Sequence, residues 1–323
     1  MNIFENKSIM ITGATGSLGN ALIDYLIQKN PHKIIIYSRD ELKQYNLLKK
    51  HEVIQKEKDI LRTFIGDVRD KDRLMTAMQD VDIVVHAAAL KQIDTAEYNP
   101  REVIKTNIQG SENVIECAIQ NNVKKTLLIS TDKACNPCTL YGYTKAIAEK
   151  IFQQANIYSK NHEFKSMIVR YGNVANSRGS VIPFFKDLIS KGDSVLPLTH
   201  EDMTRFYITL DKACEVIEFA LNYGVAGEIF IPKLKAFRIK DLIAAMGSDY
   251  KIVGIRGTEK LHEQMISQYE MAFDVGKYYI IPSNLKRFIE SPYIDFNSMS
   301  NGFEYYSNDD LMTTDQIKKL DII

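Results

Sequence analysis

An α/β fold, a doubly wound parallel sheet with a smaller C-terminal lobe, is what this sequence predicts, and three observations predict it. Short apolar stretches alternate with helical stretches through the first half, the pattern of parallel strands with helices on both faces. A glycine-rich turn joins the first apolar stretch to the first helix at residue 13. Beyond about Gly179 the alternation loosens, and Pro183, Pro197 and Pro232 interrupt shorter segments.

Taken in order, the expected strands are Ser8–Thr12, Lys33–Tyr37, Arg62–Ile65, Asp82–Ala87, Lys124–Ser130 and Ser166–Tyr171. Helical patterns such as Leu18–Lys29 and Val103–Gln120 lie between them. Six such strands make a Rossmann-type sheet, which binds its ligands beyond the carboxyl ends of the strands. The chain is therefore expected to divide into a dinucleotide-binding unit, residues 1–178, and a substrate lobe with a tail, residues 179–323, the two interleaved. Helices are expected at Leu210–Asn222 and Lys240–Met246. From about Ser283 the tail is polar and aromatic (FEYYSNDD) and suits either wrapping the surface or meeting another subunit.

The 323 residues carry 41 basic and 41 acidic side chains, so no global field draws in nucleic acid or an anionic membrane. An anionic ligand must be held by a local constellation. MNIFENKSIM lacks the features of a secretory signal, and the longest apolar runs fall far short of the roughly 20 residues of a membrane helix. A cytoplasmic location is the expectation. Four cysteines are too few for a disulfide framework. Cys135 and Cys138 form a C-x-x-C, but no second pair completes a zinc site, and Asn136-Pro137 reads as a turn. No metal site is expected.

The strand Ile9–Thr12 runs straight into Gly13-Ala14-Thr15-Gly16-Ser17-Leu18-Gly19 and then a helix. Glycines there allow the tight turn and the close approach of a pyrophosphate, whose charge sits at the helix N-terminus. The second strand ends in Tyr37-Ser38-Arg39-Asp40-Glu41-Leu42-Lys43. Arg39, with Ser38 and Lys43, suits the 2′-phosphate of NADP, whereas Asp40 could face a ribose as in NAD enzymes. Glu41 and Leu42 complete this candidate cofactor segment. Asp67 and Val68 after the third strand, Ala87 after the fourth and Val174 after the sixth are further candidate cofactor contacts, and Asp67 and Ala87 read equally well as strand-end packing.

Tyr141 and Lys145 lie one helical turn apart on a helix starting near Leu140, preceded by a strand that ends in Ser130-Thr131. A free tyrosine, with a pKa of about 10, is a poor base at neutral pH. A neighbouring ammonium and an oxidised nicotinamide would lower it, and Thr131 can hydrogen-bond the same substrate hydroxyl. Asp132 and Lys133 stand beside this pair, and plain hydride transfer has no use for them.

The strings ITGATGSLGN, FIGDVRD, HAAALKQ, STDKACNP, YGYTK, RYGNV, SRGSVIPFF, MTRFYITL and GIRGTEKLHE carry a resemblance through most of the chain. The sequence resembles the extended short-chain dehydrogenases/reductases, and among them the inverting UDP-N-acetylglucosamine 4,6-dehydratases of the pseudaminic acid pathway. That resemblance implies NADP as cofactor and a UDP-sugar as substrate. It implies that Tyr141 takes the 4-hydroxyl proton during C4 oxidation, that Lys133 removes the C5 proton, and that Asp132 protonates the departing 6-hydroxyl. Burial beside Lys145 and the nicotinamide is expected to lower the Lys133 pKa enough for this. A lysine where retaining enzymes carry glutamate implies inversion at C5.

The resemblance also implies that Asn173, Arg205 and Arg256 contact the diphosphate, with Arg178 nearby, that Glu259 meets the uridine ribose, and that Lys91 faces the sugar. Homo-oligomers are usual among such relatives. Gln92, Gly257-Thr258 and Tyr143 depart from the family pattern, which bears on the N-acyl pocket and the nucleotide lobe. A capsule or O-antigen 4,6-dehydratase/epimerase, a UDP-hexose 4-epimerase and a non-catalytic NADP sensor are the competing readings.

Overall fold

The computed structural model describes residues 2–160, 163–175, 177, 179–255, 257–283 and 297–320. The first half contains β1 (Ser8–Thr12), α1 (Ser17–Ile27), β2 (Lys33–Ser38), α2 (Glu41–Lys50), α3 (Glu52–Lys58), β3 (Leu61–Ile65), α4 (Lys71–Ala77) and β4 (Ile83–His86). It continues through α5 (Ile93–Tyr98), α6 (Pro100–Ile104), α7 (Gly110–Gln120), β5 (Lys125–Ile129), α8 (Leu140–Tyr158) and β6 (Lys165–Val169). The second half adds β7 (Asn173–Val174), α9 (Val181–Ser190), β8 (Val195–Leu198), β9 (Thr204–Ile208), α10 (Leu210–Tyr223), β10 (Ile229–Pro232), β11 (Ala236–Arg238) and α11 (Ile239–Ala245). It closes with β12 (Asp249–Ile252), β13 (Gln264–Ile266), β14 (Phe273–Val275), β15 (Tyr278–Ile281), β16 (Asn297–Ser298), β17 (Tyr305–Tyr306) and α12 (Thr314–Lys318).

The six expected strands form a parallel block in the order β6-β5-β4-β1-β2-β3, with Met10 beside Ile35 on one side and Val84 on the other. Helices cover both faces, so β1 and β4 are buried along their whole length. The expected helix Val103–Gln120 is broken by a π-helical turn, Lys105–Gln109, between α6 and α7. The turn carries Asn107 inward, where its Oδ1 accepts from Leu90 N at 2.8 Å and its Nδ2 donates to Thr144 Oγ1 at 3.0 Å. That side chain pins the loop after β4 to the first turns of α8. A wide helical turn at a functional position is common.

The second half does not stay apart from the sheet. Among the described residues the main sheet has ten strands, because β10 pairs in parallel with β6, and β15, β14 and β16 add antiparallel neighbours. Between these returns, residues of α9, β8, β9 and α11 build a second small core around Phe185, Leu196, Met203 and Leu242. The described tail folds onto its own chain: the Tyr305 hydroxyl accepts from Leu234 N at 2.8 Å and donates to Leu234 O at 2.9 Å. α12 packs on α11. No helix among the described residues is long and apolar enough to cross a membrane.

One buried cation joins the halves. Arg170, 2% exposed, follows β6. Its guanidinium donates to both Glu149 oxygens at 3.0 and 2.6 Å, to both Glu270 oxygens at 3.1 and 2.8 Å, and to Met265 O at 2.8 Å. Removing it would leave two buried carboxylates without their counter-ion. We predict that Arg170→Ala lowers stability in urea unfolding by about 3–5 kcal/mol. A loss typical of an exposed pair, about 1 kcal/mol or less, would show that the two halves do not depend on it.

Candidate active site

A cleft of about 1580 Å³ runs across the carboxyl ends of the parallel strands and under the second small core. One arm is shaped by the glycine-rich turn. Gly13 has φ +70°, and a Cβ there would lie 2.9 Å from the Ala88 backbone. A Cβ on Gly19 would lie 2.3 Å from Ala14 O, so α1 can start close against the turn only without a side chain there. The α1 N-cap, Gly16, provides no side-chain cap, which leaves the first N–H groups of the helix facing the cleft. Gly13, Thr15, Gly16, Ser17, Leu18 and Gly19 all line it. This cradle fits a dinucleotide pyrophosphate.

Beyond the ends of β2 and β3, Ser38, Arg39, Asp40, Lys43, Asp67, Val68 and Ala87 line the cleft, whereas Glu41 and Leu42 do not. Asp40 is the N-cap of α2: its carboxylate accepts from Lys43 N at 3.0 Å and pairs with Lys43 Nζ. The side chain that might have met a ribose is thereby engaged with its own helix. The Asp67 carboxylate accepts from Arg69 N at 2.9 Å, Nε at 3.0 Å and Nη2 at 2.7 Å. Burial pushes that carboxyl up, but the Arg69 contacts outweigh it and hold it below its ordinary value. Arg39 lies 3.5 Å from Asp67, with its side chain 57% exposed toward the cleft mouth.

The centre of the cleft is formed where β5 ends. Thr131 caps a 3-10 turn, Asp132–Ala134, and α8 begins at Leu140 with Thr139 capping Gly142 N at 3.0 Å and Glu97 taking Leu140 N at 2.8 Å. These caps fix the turns that present Asp132, Lys133 and Tyr141. Asp132 is fully buried; its Oδ1 accepts from Thr131 Oγ1 at 2.9 Å and from Lys133 Nζ at 3.1 Å. Lys133 Nζ also lies 3.1 Å from Glu263 Oε1. Neither Asp132 Oδ2 nor Glu263 Oε2, both buried, has a hydrogen-bond partner among the described residues.

Charge states follow from this packing. Burial pushes the Asp132 carboxyl up; Lys133 offsets part of that and Glu263 reinforces it. The protonated form suits a general acid. Lys133 departs from expectation. Burial alone would lower its pKa, but Asp132 and Glu263 outweigh burial and hold it above the ordinary lysine value. Lys133 is an ammonium, and Lys145 is not what governs it. Tyr141 also departs: burial pushes its phenol up to about 12, and the cation that partly offsets this is Lys133. Lys145 is the lysine that burial depresses, to about 8, against the pull of Glu149. Its Nζ donates to Ile129 O at 2.7 Å.

In the far arm Asn173, Val174, Lys91, Arg205 and Glu259 line the cleft. The buried Oδ1 of Asn173 has no hydrogen-bond partner among the described residues. Arg205 donates to the carbonyls of Thr204, Lys260 and Leu261 and lies 3.4 Å from Glu259 Oε1 and 3.7 Å from Glu263 Oε1. Arg178 and Arg256 lie outside the described residues. Gln92 lines the cleft, its amide 2.7 Å from where a Gly179 Cβ would sit. Tyr143 is 53% exposed and does not line it. Cys135 and Cys138 are free thiols at a turn where Asn136 has φ +43°, and no metal-ligand cluster exists among the described residues.

A family profile described as polysaccharide biosynthesis protein matches residues 9–283. The chain belongs to this family of extended short-chain dehydrogenases/reductases. It is 44% identical to a protein of Campylobacter jejuni named UDP-N-acetylglucosamine 4,6-dehydratase (inverting), over 99% of this chain and 98% of that one. A Rickettsia canadensis protein named UDP-glucose 4-epimerase is 41% identical over 87% of this chain and 84% of that one. Among solved structures, Pen from Bacillus thuringiensis superposes with a TM-score of 0.89 at 32% identity, covering 98% of this chain and 97% of that one. Family membership fits the doubly wound sheet and a nicotinamide dinucleotide in the glycine-lined arm.

Glu263 is the site residue that the sequence pattern leaves unmarked. It sits in the same EKLHE string as Glu259, in an irregular segment where no periodicity shows which carboxylate turns inward. The two buried lysines should titrate apart. In lysine-labelled NMR, Lys145 should titrate near pH 8 while Lys133 stays charged. Loss of the Lys133 charge at or below the Lys145 midpoint would contradict this assignment of charge.

Proposed function

We propose that this protein is an NADP-dependent UDP-N-acetylglucosamine 4,6-dehydratase, a carbon–oxygen lyase that inverts C5 and serves pseudaminic acid synthesis. The observation that carries this reading is the pairing of the fully buried Asp132 with Lys133 at the cleft, beside Tyr141 and Lys145. A 4-epimerase needs the tyrosine and its lysine but has no use for a carboxyl whose pKa burial raises beside a lysine ammonium. Identity to the Campylobacter jejuni dehydratase over nearly the whole chain supports it.

The nicotinamide, when bound, supplies the acceptor for the C4 hydride and the donor that returns it to C6. The chain's own groups do the proton work. Tyr141 takes the 4-hydroxyl proton, with Thr131 orienting that hydroxyl, once the cofactor's positive charge has lowered the phenol from about 12. Lys133 removes the C5 proton, made acidic by the new 4-ketone. Asp132 delivers its proton to the 6-hydroxyl, which leaves as water. Asn173 and Arg205 hold the diphosphate and Glu259 the ribose, while Arg39 and Lys43 receive the 2′-phosphate.

The Rickettsia relatives named as UDP-glucose 4-epimerases favour a second reading, a UDP-sugar 4-epimerase. One assay separates the two. Incubation with UDP-N-acetylglucosamine in D2O should give a product lighter by one water, with deuterium at C5 and ring couplings of the L-arabino 4-ketone. A product of unchanged mass would establish the epimerase instead, and the D-xylo ketone alone at the earliest times would remove the inversion. For the cofactor, Arg39→Glu should weaken NADP binding by about 1.5–3 kcal/mol, roughly ten- to a hundredfold, as expected when a charged hydrogen bond is lost. Calorimetry showing tighter binding of NAD than NADP by the unaltered protein would overturn the 2′-phosphate assignment.

A further inference from the structure

The dehydratase reading leaves a chemical gap. It assigns C5 deprotonation to Lys133, yet Lys133 is held as an ammonium between Asp132 and Glu263, and an ammonium cannot accept a proton. Some neighbouring group must first take one. Asp132 is unsuited, because its protonated form is the one that water departure requires. The other partner, Glu263 Oε1, is 3.1 Å from Nζ. Its Oε2 is buried with no hydrogen-bond partner among the described residues.

We infer that Glu263 acts through Lys133 as a positioning residue and proton acceptor, taking a proton from Nζ so that the free amine can remove the C5 proton. The inference rests on the dehydratase reading and deepens it. Both residues line the cleft, with the Lys133 side chain 22% exposed and the more deeply buried Glu263 side chain 4% exposed. The backbone of Glu263 is held on both sides by Ser307, whose Oγ accepts from Glu263 N at 2.9 Å and whose N donates to Glu263 O at 2.8 Å.

The titratable and charged groups facing Glu263 are Asp132 and Lys133 from the turn after β5, Arg205 from β9, with Nε at 3.7 Å, and Lys260 from its own segment. Burial pushes the Glu263 carboxyl up, but these cations outweigh it and keep the carboxylate ionised.

The step balances without an added oxidant. An N–H bond of Lys133 breaks and an O–H bond forms on Glu263. The C5–H bond then breaks, Nζ regains a proton, and the C5–H electron pair becomes the C5–C6 π bond. The C6–O bond breaks with its electrons on oxygen, and the Asp132 proton completes a water molecule. The set that began as acid, ammonium and carboxylate ends as carboxylate, ammonium and acid.

The test compares Glu263→Gln and Glu263→Asp with the unaltered holoenzyme, using UDP-N-acetylglucosamine in D2O. Cofactor retention and single-turnover C4 oxidation report on folding and binding; C5 exchange and water loss report on the step. The glutamine variant should keep oxidation while exchange falls by about 10²–10⁴-fold near neutral pH, the scale of general acid–base catalysis. Its exchange should then rise in proportion to hydroxide, as solvent takes over removal of the Nζ proton, whereas the unaltered enzyme should show a flat profile. The aspartate variant keeps an acceptor and should stay flat at reduced rate. Exchange at the unaltered rate in Glu263→Gln, or a loss equal at every pH, overturns the inference. If the glutamine variant loses its cofactor, a hydroxide-dependent profile in Glu263→Asp overturns it instead. Failure of the unaltered enzyme to release water from the substrate overturns the dehydratase reading itself, a separate outcome.

Discussion

The contact on which the rest of the site depends is the one between Arg170 and its two carboxylates. Glu149 sits one turn beyond Lys145 on α8, and its Oε1 also accepts from Ser130 Oγ at 2.6 Å, immediately before Thr131. Glu270 and Met265 belong to the segment that follows Glu263. One guanidinium thus fixes the strand end that bears Asp132 and Lys133, the helix that bears Tyr141 and Lys145, and the chain that brings Glu263. Its planar fork suits this task, since it can donate to several acceptors in a fixed plane. The same Glu149 charge moderates the burial of Lys145.

Two electrostatic regimes meet in the cleft. Beyond the ends of β2 and β3 the pairs are exposed, with Arg39 and Lys43 resting on Asp67 and Asp40, and exposed pairs contribute little energy. They can exchange partners with a ligand at small cost. At the centre the Lys133 and Arg205 cations flank the Glu263 carboxylate beside Asp132, all largely out of water. There a proton moving by one hydrogen-bond length redistributes charge in a low dielectric, where its effect on neighbours is large. The chain has no net charge, so this local ordering of signs supplies the chemistry.

The first half was legible in the sequence because its signals are local. Strands such as SIMIT and IVVH are continuous apolar runs, and the turn at Gly13 needs a positive φ that glycine accepts readily. Tyr141 and Lys145 share a helix face by spacing alone. The π turn at Lys105–Gln109 was not legible, since Val103–Gln120 keeps a helical pattern across it. Nor was the return of the second half to the sheet, where Ile229 pairs with Ile168 from a distant part of the chain. The Lys133 charge state depends on Glu263, another distant residue, so burial read from the lysine's own surroundings pointed the wrong way. Tyr305 and Ser307, in the polar tail, proved to be buried supports.

The pairing of β10 with β6 also orders events during synthesis. Until residues 229–232 leave the ribosome, β6 is an open edge whose Lys165–Val169 backbone has a partner on only one side. Unpaired edges invite association with other chains. The glycine-lined arm is complete well before that point, whereas Glu263 and the tail that holds it arrive near the end. A nascent chain would therefore be able to hold a dinucleotide before it can carry out an elimination, and early ligand binding would favour the folded half during the interval in which its edge is exposed.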